Sequence, residues 1–377
     1  MGRTVALMAA LLILAGGLPV SASEPFAVVA RGAVLIDADS GIVLFGQNED
    51  EMLPMASTTK VMTALLALES AALDEMVTAG RNASGVPGTS LYLSEGETLT
   101  MEQMLYGLML RSGTDAAVAV AEHVAGSVSA FADRMNARAE ALDADASFVN
   151  PHGLDADGHR ISALGLARVM REAMKNPAFR VITGTRRKVI PWAGNAFSRV
   201  LDNKNKLLKT YDGATGGKTG YTGKAGRCLV FSAERDDLSL IGAVLNCPTW
   251  FDTAAAMLDY GFERFRAEAA LSAGQTVGVL PVPDGLVQTV AVVAEGPLKA
   301  AVPVGGAVEI AVSLPQALRA PVTAGEVVGR ASIVCDGRAV AGCRLLAASD
   351  VQRRSFDGAL RRLLRNWILR LRSASSA

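Results

Sequence analysis

Of the chain's 377 residues half are apolar and a fifth charged, which excludes a disordered protein and leaves room for two domains and a sizeable core. Its 37 Lys and Arg balance 37 Asp and Glu. With zero net charge and no basic patch in the body, nothing in the composition calls for a nucleic-acid partner.

Residues 1–22 read as a signal peptide: Arg3 supplies a basic lead, residues 5–15 are apolar, Gly16, Gly17 and Pro19 break the run, and Val20-Ser21-Ala22 offers small residues for cleavage. The apolar stretch is shorter than the roughly 20 residues a spanning helix needs, so the expectation is export and removal. Cys228, Cys247, Cys335 and Cys343 could then pair in an oxidising compartment, although even parity permits bridges without requiring them. Three histidines, no H-E-x-x-H and no C-x-x-C give no support for a zinc site; no metal and no cofactor are expected.

Residues 33–37 and 42–46 flank the turn triplet Asp39-Ser40-Gly41 and predict a hairpin. It leads into Ser57-Thr58-Thr59-Lys60, followed by an apolar run to Leu68 with no polar face, the pattern of a helix buried on all sides. Ser57 and Lys60, three apart at its start, share one face. Residues 81–98, rich in Gly, Ser and Pro, predict a loop with a short strand at 90–93. Thr100 and Gln103 form a capping box for a helix whose inner face is Met101, Met104, Leu105, Leu108 and Met109. That helix stops at Ser112-Gly113-Thr114, and another runs from Asp115 to about Ala125. Ser112 thus lies on a tight interhelical turn, where capping alone would account for it. Amphipathic helices follow over 127–142 and from Ser162 to about Met174, separated by a turn-rich loop at 148–155 whose His152 reads as structural.

Past Pro191 the pattern turns to strands: 216–222, 227–233 and 239–246 predict an antiparallel meander, and an apolar helix over 253–265 closes the unit. Helices, then strands, then a helix indicate an α+β domain over 24–266. Short β-branched runs between Pro and Gly predict a small β-rich domain over 275–349. In residues 351–377, Phe356, Leu360, Leu363, Leu364, Trp367 and Leu371 recur at helical spacing among seven arginines. That is the pattern of an interfacial amphipathic helix, too charged to span a bilayer, with docking on the protein's own surface as the alternative.

Alone, S-x-x-K carries little weight. Followed in order by Ser112-Gly113-Thr114 and Lys218-Thr219-Gly220, it resembles the signature of the penicillin-interacting serine enzymes. More specifically, the chain resembles the low-molecular-weight penicillin-binding proteins that act as serine-type D-alanyl-D-alanine carboxypeptidases, the penicillin-binding protein 5 group. Asn150-Pro151-His152-Gly153-Leu154 and the segment from Gly217 to Thr222, with Ala225 to Leu229, match segments of that group. The resemblance implies a β-lactamase/transpeptidase-like catalytic domain with a β-rich C-terminal domain and a tail anchor. It implies Ser57 as nucleophile, Lys60 as proton acceptor and Ser112 as relay to the leaving amine. Lys218 and Thr219 would hold the substrate carboxylate, Lys218 would help keep Lys60 unprotonated, and the N–H groups of Ser57 and Tyr221 would form an oxyanion hole. Peptidoglycan stem peptides and β-lactams are the implied ligands, on the outer face of the cytoplasmic membrane. Thr114 departs from the group, which has asparagine there; a single hydroxyl replaces two donors and an acceptor. Two other readings are a weakened penicillin-binding pseudoenzyme and a class A β-lactamase, the latter prompted by Glu172-Ala173-Met174-Lys175-Asn176.

Overall fold

The computed structural model describes residues 28–354; the leader expected over 1–22 lies outside the described residues, and of the tail helix expected over 351–377 only 351–354 are described, where Val351 and Arg353 form β-bridges in place of a helical turn. Strands β1 (Gly32–Asp37) and β2 (Val43–Gln47) form the expected hairpin. A 3-10 turn over Ala56–Thr59 then feeds α1 (Lys60–Ser70). The first eight residues of α1 are all buried, as its lack of a polar face demands. A two-stranded ribbon, β3 (Met76–Thr78) with β4 (Thr98–Thr100), brackets a long loop. Thr100 caps α2 (Met101–Tyr106) through the full capping box, and the chain continues as one π-helical turn over Gly107–Arg111 that ends at Ser112.

Next come α3 (Thr114–Ala125) and α4 (Val128–Ala141). Between β5 (Ala146–Ser147) and β6 (Arg160–Ile161) runs the loop carrying His152, followed by α5 (Ala163–Lys175) and α6 (Pro177–Gly184). The hairpin of β7 (Arg187–Ile190) and β8 (Arg199–Asp202) and the one-turn α7 (Leu207–Thr210) lead to the meander: β9 (Ala214–Thr222), β10 (Gly226–Arg235) and β11 (Leu238–Leu245). Helix α8 (Trp250–Arg264) follows.

The N-terminal hairpin completes the C-terminal meander in one antiparallel sheet of order β2-β1-β11-β10-β9. Both faces of that sheet are covered. Ala33 and Leu35 of β1 pack with Met257 and Leu258 of α8, while Val34 and Ile36 pack into the helical core with Val61 and Leu166. Two-sided burial is why β1 reads as an unbroken apolar run, and each such Leu or Ile contributes about 2 kcal/mol. One edge, β9, stays open toward the helices, and the site lies along it.

Helix α8 runs directly into β12 (Phe265–Leu271), and a β-rich unit follows: β13 (Thr276–Pro281), β14 (Thr289–Ala294), β15 (Leu298–Pro303), β16 (Val308–Ser313), β17 (Val327–Cys335) and β18 (Arg338–Ala347). Its sheets are β12-β15 and β13-β14-β18-β17-β16, closed over a separate core that includes Val292, Val302, Ile333 and Leu345. All four cysteines are buried free thiols; burial pushes the Cys228 thiol up to about 12. Among the described residues no helix is long and apolar enough to cross a membrane.

Candidate active site

Ser57 sits in the 3-10 turn, one residue after Ala56, whose φ of +49° is the left-handed conformation that side chains rarely adopt. The turn places Ser57 Oγ 3.0 Å from Lys60 Nζ. Lys60 is fully buried, and its pKa is lowered to about 7, first by burial and then by the charge of Lys204, against the opposing pull of Asp115. It also donates to the His152 carbonyl at 2.6 Å. An unprotonated amine can hold that bond with one N–H and still turn its lone pair to the serine hydroxyl.

The loop from Asn150 to Leu154 fixes this geometry. Asn150 Oδ1 accepts from the N–H groups of His152 and Gly153, at 3.2 and 2.7 Å, and its amide donates to Leu154 O at 3.0 Å. The loop then grips α1 twice, through His152 O on Lys60 and through Pro151 O, which accepts from Thr63 Oγ1 at 2.6 Å. Gly153, at φ +86°, presses so closely that a Cβ there would lie 1.9 Å from Ala56 O. His152 is half-buried, and its Nδ1 accepts from Leu154 N at 3.2 Å, while His159 is buried. His159 Nδ1 accepts from Val149 N, which leaves Nε2–H to donate to Thr59 Oγ1 at 2.8 Å, and Thr59 Oγ1 donates in turn to Ala56 O. Burial first, with the Lys60 charge adding to it, holds His159 down to about 4 against the pull of Asp155. The same two causes hold His152 at about 3, helped by His159.

Ser112 ends the π turn in the left-handed region, φ +70° and ψ +36°. Extra turns of this kind re-aim the residue that follows them, and here Ser112 Oγ accepts from Lys218 Nζ at 3.1 Å. Lys218, on β9 and fully buried, also donates to Thr219 O at 2.7 Å. Burial, then the charges of Lys60 and Lys204, push it well below its ordinary value. Two serine–lysine pairs therefore face each other, one from the start of α1 and one bridging the α2–α3 turn to β9.

The β9 edge supplies donors as well. Gly217 exchanges both backbone bonds with the Thr183 hydroxyl, away from β10. Backbone polarity repeats every second residue along a strand, so Thr219 and Tyr221 point the same way. Consistently, Arg227, the β10 partner of Tyr221, turns its carbonyl to Cys247 N. The Tyr221 N–H thus looks out of the open edge while its side chain is exposed. Gly220 brings that edge against the nucleophile turn: a Cβ there would lie 2.9 Å from Ser57 N. Thr219 is buried. Thr114 is also buried, and its hydroxyl is directed at Gly88, where an added Cβ would lie 2.9 Å from Thr114 Oγ1.

The strand expected at residues 90–93 does not form, because Asp115 wins those backbone donors. Its buried carboxylate accepts from Leu91 N, Leu93 N and Ser90 Oγ. Arg199 ties the same loop from the other side, donating to Leu91 O and Tyr92 O and pairing with buried Glu97 at 2.6 Å. Burial alone would raise the Glu97 pKa, yet the Arg199 hydrogen bond carries it below the usual value. Sequence reasoning missed Asp115, Arg199 and Lys204 as parts of the site. Only the flanking Asn203 and Asn205, an unusual polar bracket before a glycine-rich strand, could have drawn attention to Lys204.

A buried lysine lowered to about 7 beside a serine, a second serine–lysine pair opposite and an open strand edge together define a serine enzyme of the penicillin-interacting class. The chain belongs to the D-alanyl-D-alanine carboxypeptidase family, whose profile matches residues 19–249; that of the penicillin-binding protein 5 C-terminal domain matches 265–353. It is 32% identical over 351 residues to D-alanyl-D-alanine carboxypeptidase DacF of Bacillus subtilis (strain 168), with 90% of each chain covered. To DacA of Escherichia coli (strain K12) it is 31% identical, covering 87% of this chain and 85% of that one. Penicillin-binding protein 5 from Haemophilus influenzae superposes with a TM-score of 0.77 at 28% identity, covering 88% of this chain and 100% of that structure. The protein is a serine-type DD-carboxypeptidase of the low-molecular-weight, penicillin-binding protein 5 type, with the α+β transpeptidase-like fold and β-rich C-terminal domain that its motifs imply.

Proposed function

We propose that this protein is exported and removes the terminal D-alanine of peptidoglycan stem peptides through an acyl-enzyme on Ser57, and that β-lactams inhibit it by acylating the same oxygen. The observation that carries this reading is the 3.0 Å contact between Ser57 Oγ and a Lys60 amine lowered to about 7. Ser57 Oγ forms a bond to the penultimate D-alanine carbonyl carbon as its proton passes to Lys60 Nζ. The N–H groups of Ser57 and Tyr221 take up the charge on the carbonyl oxygen. Ser112 relays a proton from the lysine side of the cleft to the amide nitrogen, the C–N bond breaks, and D-alanine leaves. Lys218 and the Thr219 hydroxyl receive its carboxylate. Water, deprotonated by the same base, then cleaves the ester and returns the proton to Ser57.

A class A β-lactamase route through Glu172 finds no support in its surroundings. One Glu172 oxygen is bound by Arg138 at 2.9 Å and the other by Lys175 at 2.6 Å, while Asn176 is committed to capping α6. Thr114, its hydroxyl turned to Gly88, supports a slower enzyme of the same mechanism. The test is chemical. A labelled penicillin should form a stable adduct on the peptide containing Ser57, D-alanine should be released from a D-Ala-D-Ala peptide, and Ser57→Ala should abolish both. No adduct at saturating penicillin would overturn the reading.

A further inference from the structure

Beyond Tyr221 the β9 edge meets a cleft of about 430 Å³ that the mechanism leaves unused, lined by Tyr221, Gly226, Arg227, Asn246, Pro248 and Trp250. Tyr221 and Arg227 are cross-strand partners and so share one face of the sheet, the face that Leu229 and α8 cover further along. Two left-handed residues shape the floor: Gly226 at φ +66° and Asn246 at φ +49°, so close that a Cβ on Gly226 would lie 2.5 Å from Asn246 Oδ1. Arg227 is held in place. Its Nη1 donates to Pro248 O at 2.6 Å and its Cζ lies 5.9 Å from the Trp250 ring centroid, while Phe251 braces that ring at 4.9 Å. Among the described residues no carboxylate pairs with Arg227 and the Asn246 amide bonds no protein group. The acids near the turn are engaged elsewhere: Asp155 accepts from Thr222 Oγ1 at 2.7 Å, and Asp157 lies 3.9 Å from Lys224 Nζ. A fixed cation beside two aromatic rings thus opens to solvent with donors to spare.

The direction in which a substrate lies along β9 places this cleft. With the terminal carboxylate at Lys218 and Thr219 and the scissile carbonyl at the Ser57 and Tyr221 N–H groups, the peptide runs antiparallel to the strand. A strand advances roughly 3.3 Å per residue, so the span from Thr219 to Tyr221 holds the last residue. The next step toward the peptide's N-terminus passes the β9–β10 turn, at the mouth of the cleft. We propose that the cleft receives the side chain of the residue preceding D-alanyl-D-alanine, and that Arg227 is a specificity-determining residue that selects a side chain ending in a carboxylate. The proposal rests on Ser57 and the β9 edge being the acylation site. A guanidinium matches a carboxylate with two parallel N–H···O bonds. Tyr221 and Trp250 cover the methylene stem, and the Asn246 amide offers a further donor. A side chain ending in an amine meets Arg227 as a like charge and is disfavoured.

Release of D-alanine from N-acetylated X-D-Ala-D-Ala peptides, with X as L-2-aminoadipate, L-norleucine or L-lysine, tests the assignment. The wild-type kcat/KM should be about tenfold higher for the aminoadipyl than for the norleucyl peptide, the worth of one exposed charge-assisted pair. It should be lowest for the lysyl peptide. Arg227→Met should erase the preference while leaving the norleucyl peptide, and acylation by benzylpenicillin, which carries no carboxylate on that side, near wild type. Arg227→Lys should retain part of the preference, and Arg227→Glu should turn it toward the lysyl peptide. High salt should narrow the wild-type differences. A wild-type enzyme indifferent to X would overturn the proposal. So would an Arg227→Met variant that slows every peptide and penicillin alike, which would leave Arg227 as a strut for the turn at Pro248. Failure of the wild-type chain to release D-alanine from any peptide would instead remove the reading beneath it, and is told apart by the missing penicillin adduct on Ser57.

Discussion

Burial of Lys60 has a measurable consequence for folding as well as for catalysis. Its amine titrates near 7 in the folded protein and near its ordinary 10.5 when the chain is unfolded. Below about pH 7 both states bind the proton, and the folded state bears the full penalty of a buried ammonium. Between about pH 7 and 10 only the unfolded state binds it, so stability rises with pH across that window. In Lys60→Met this contribution should vanish, leaving that of Lys218, whose pKa burial also lowers. Chemical denaturation across pH should show the wild type gaining on the variant, by on the order of 3 kcal/mol from about pH 7 to 10, with no change in their difference below about pH 6. A difference that stays constant throughout would mean that Lys60 is protonated in the native enzyme, and could not then act as the base. The offset between the two curves is less informative, since the variant also leaves His152 O without its donor.

One element, the loop from Asn150 to Leu154, decides whether this lysine is aimed at all. Two glycines in the same region separate its contact from its backbone conformation. Gly153→Ala meets both a left-handed φ and Ala56 O at 1.9 Å, whereas Gly158→Ala meets only the left-handed φ, with nothing within 4 Å. The second change should cost about 1 kcal/mol of stability and leave acylation near wild type. The first should cost several times more and slow acylation by at least tenfold, because the loop must lift off the nucleophile turn. Equal acylation rates in the two variants, read with their thermal unfolding midpoints, would show that the loop does not set the Ser57–Lys60 geometry. The contrast also marks what the sequence could reveal. Local patterns were legible: the hairpin, the buried α1, the Thr100 capping box, the meander and the three motifs all depend on neighbours close in the chain. What escaped depends on pairings across more than 80 residues, such as Arg199 with Leu91, Lys204 with Thr89 and Lys60 with His152. Residues 90–93 alternate like a strand, yet a buried carboxylate 22 to 25 positions away takes their donors. No local rule anticipates that competition.

At the scale of the whole molecule, catalytic unit and β-rich unit have separate cores, and the chain is tied down at its last described residues. Val351 bridges to Val322, Arg353 bridges to Gly285 and lies 3.6 Å from Asp284, and Arg354 N donates to Asp284 O. Everything beyond residue 354 therefore starts from a fixed point on the β-rich unit, remote in the chain from Ser57. The sequence past that point alternates apolar residues with Arg361, Arg362, Arg365, Arg370 and Arg372, a composition suited to burying one face among acyl chains while the guanidinium groups meet anionic headgroups. Among the described residues the helical core draws on residues from Val34 to Leu245 and the core of the β-rich unit on residues from Leu280 to Val351. The truncated protein should unfold at the temperature of the full mature chain and acylate with penicillin at the same rate, but cease to sediment with anionic vesicles. Raising the salt should weaken vesicle binding of the full chain without touching acylation. If the full chain fails to sediment at low salt, the tail is not a membrane anchor. If both forms sediment equally, the membrane contact lies in the body of the protein. A truncation that lowers the unfolding temperature would favour the remaining arrangement, in which the helix packs on the protein's own surface and its arginines find carboxylates there.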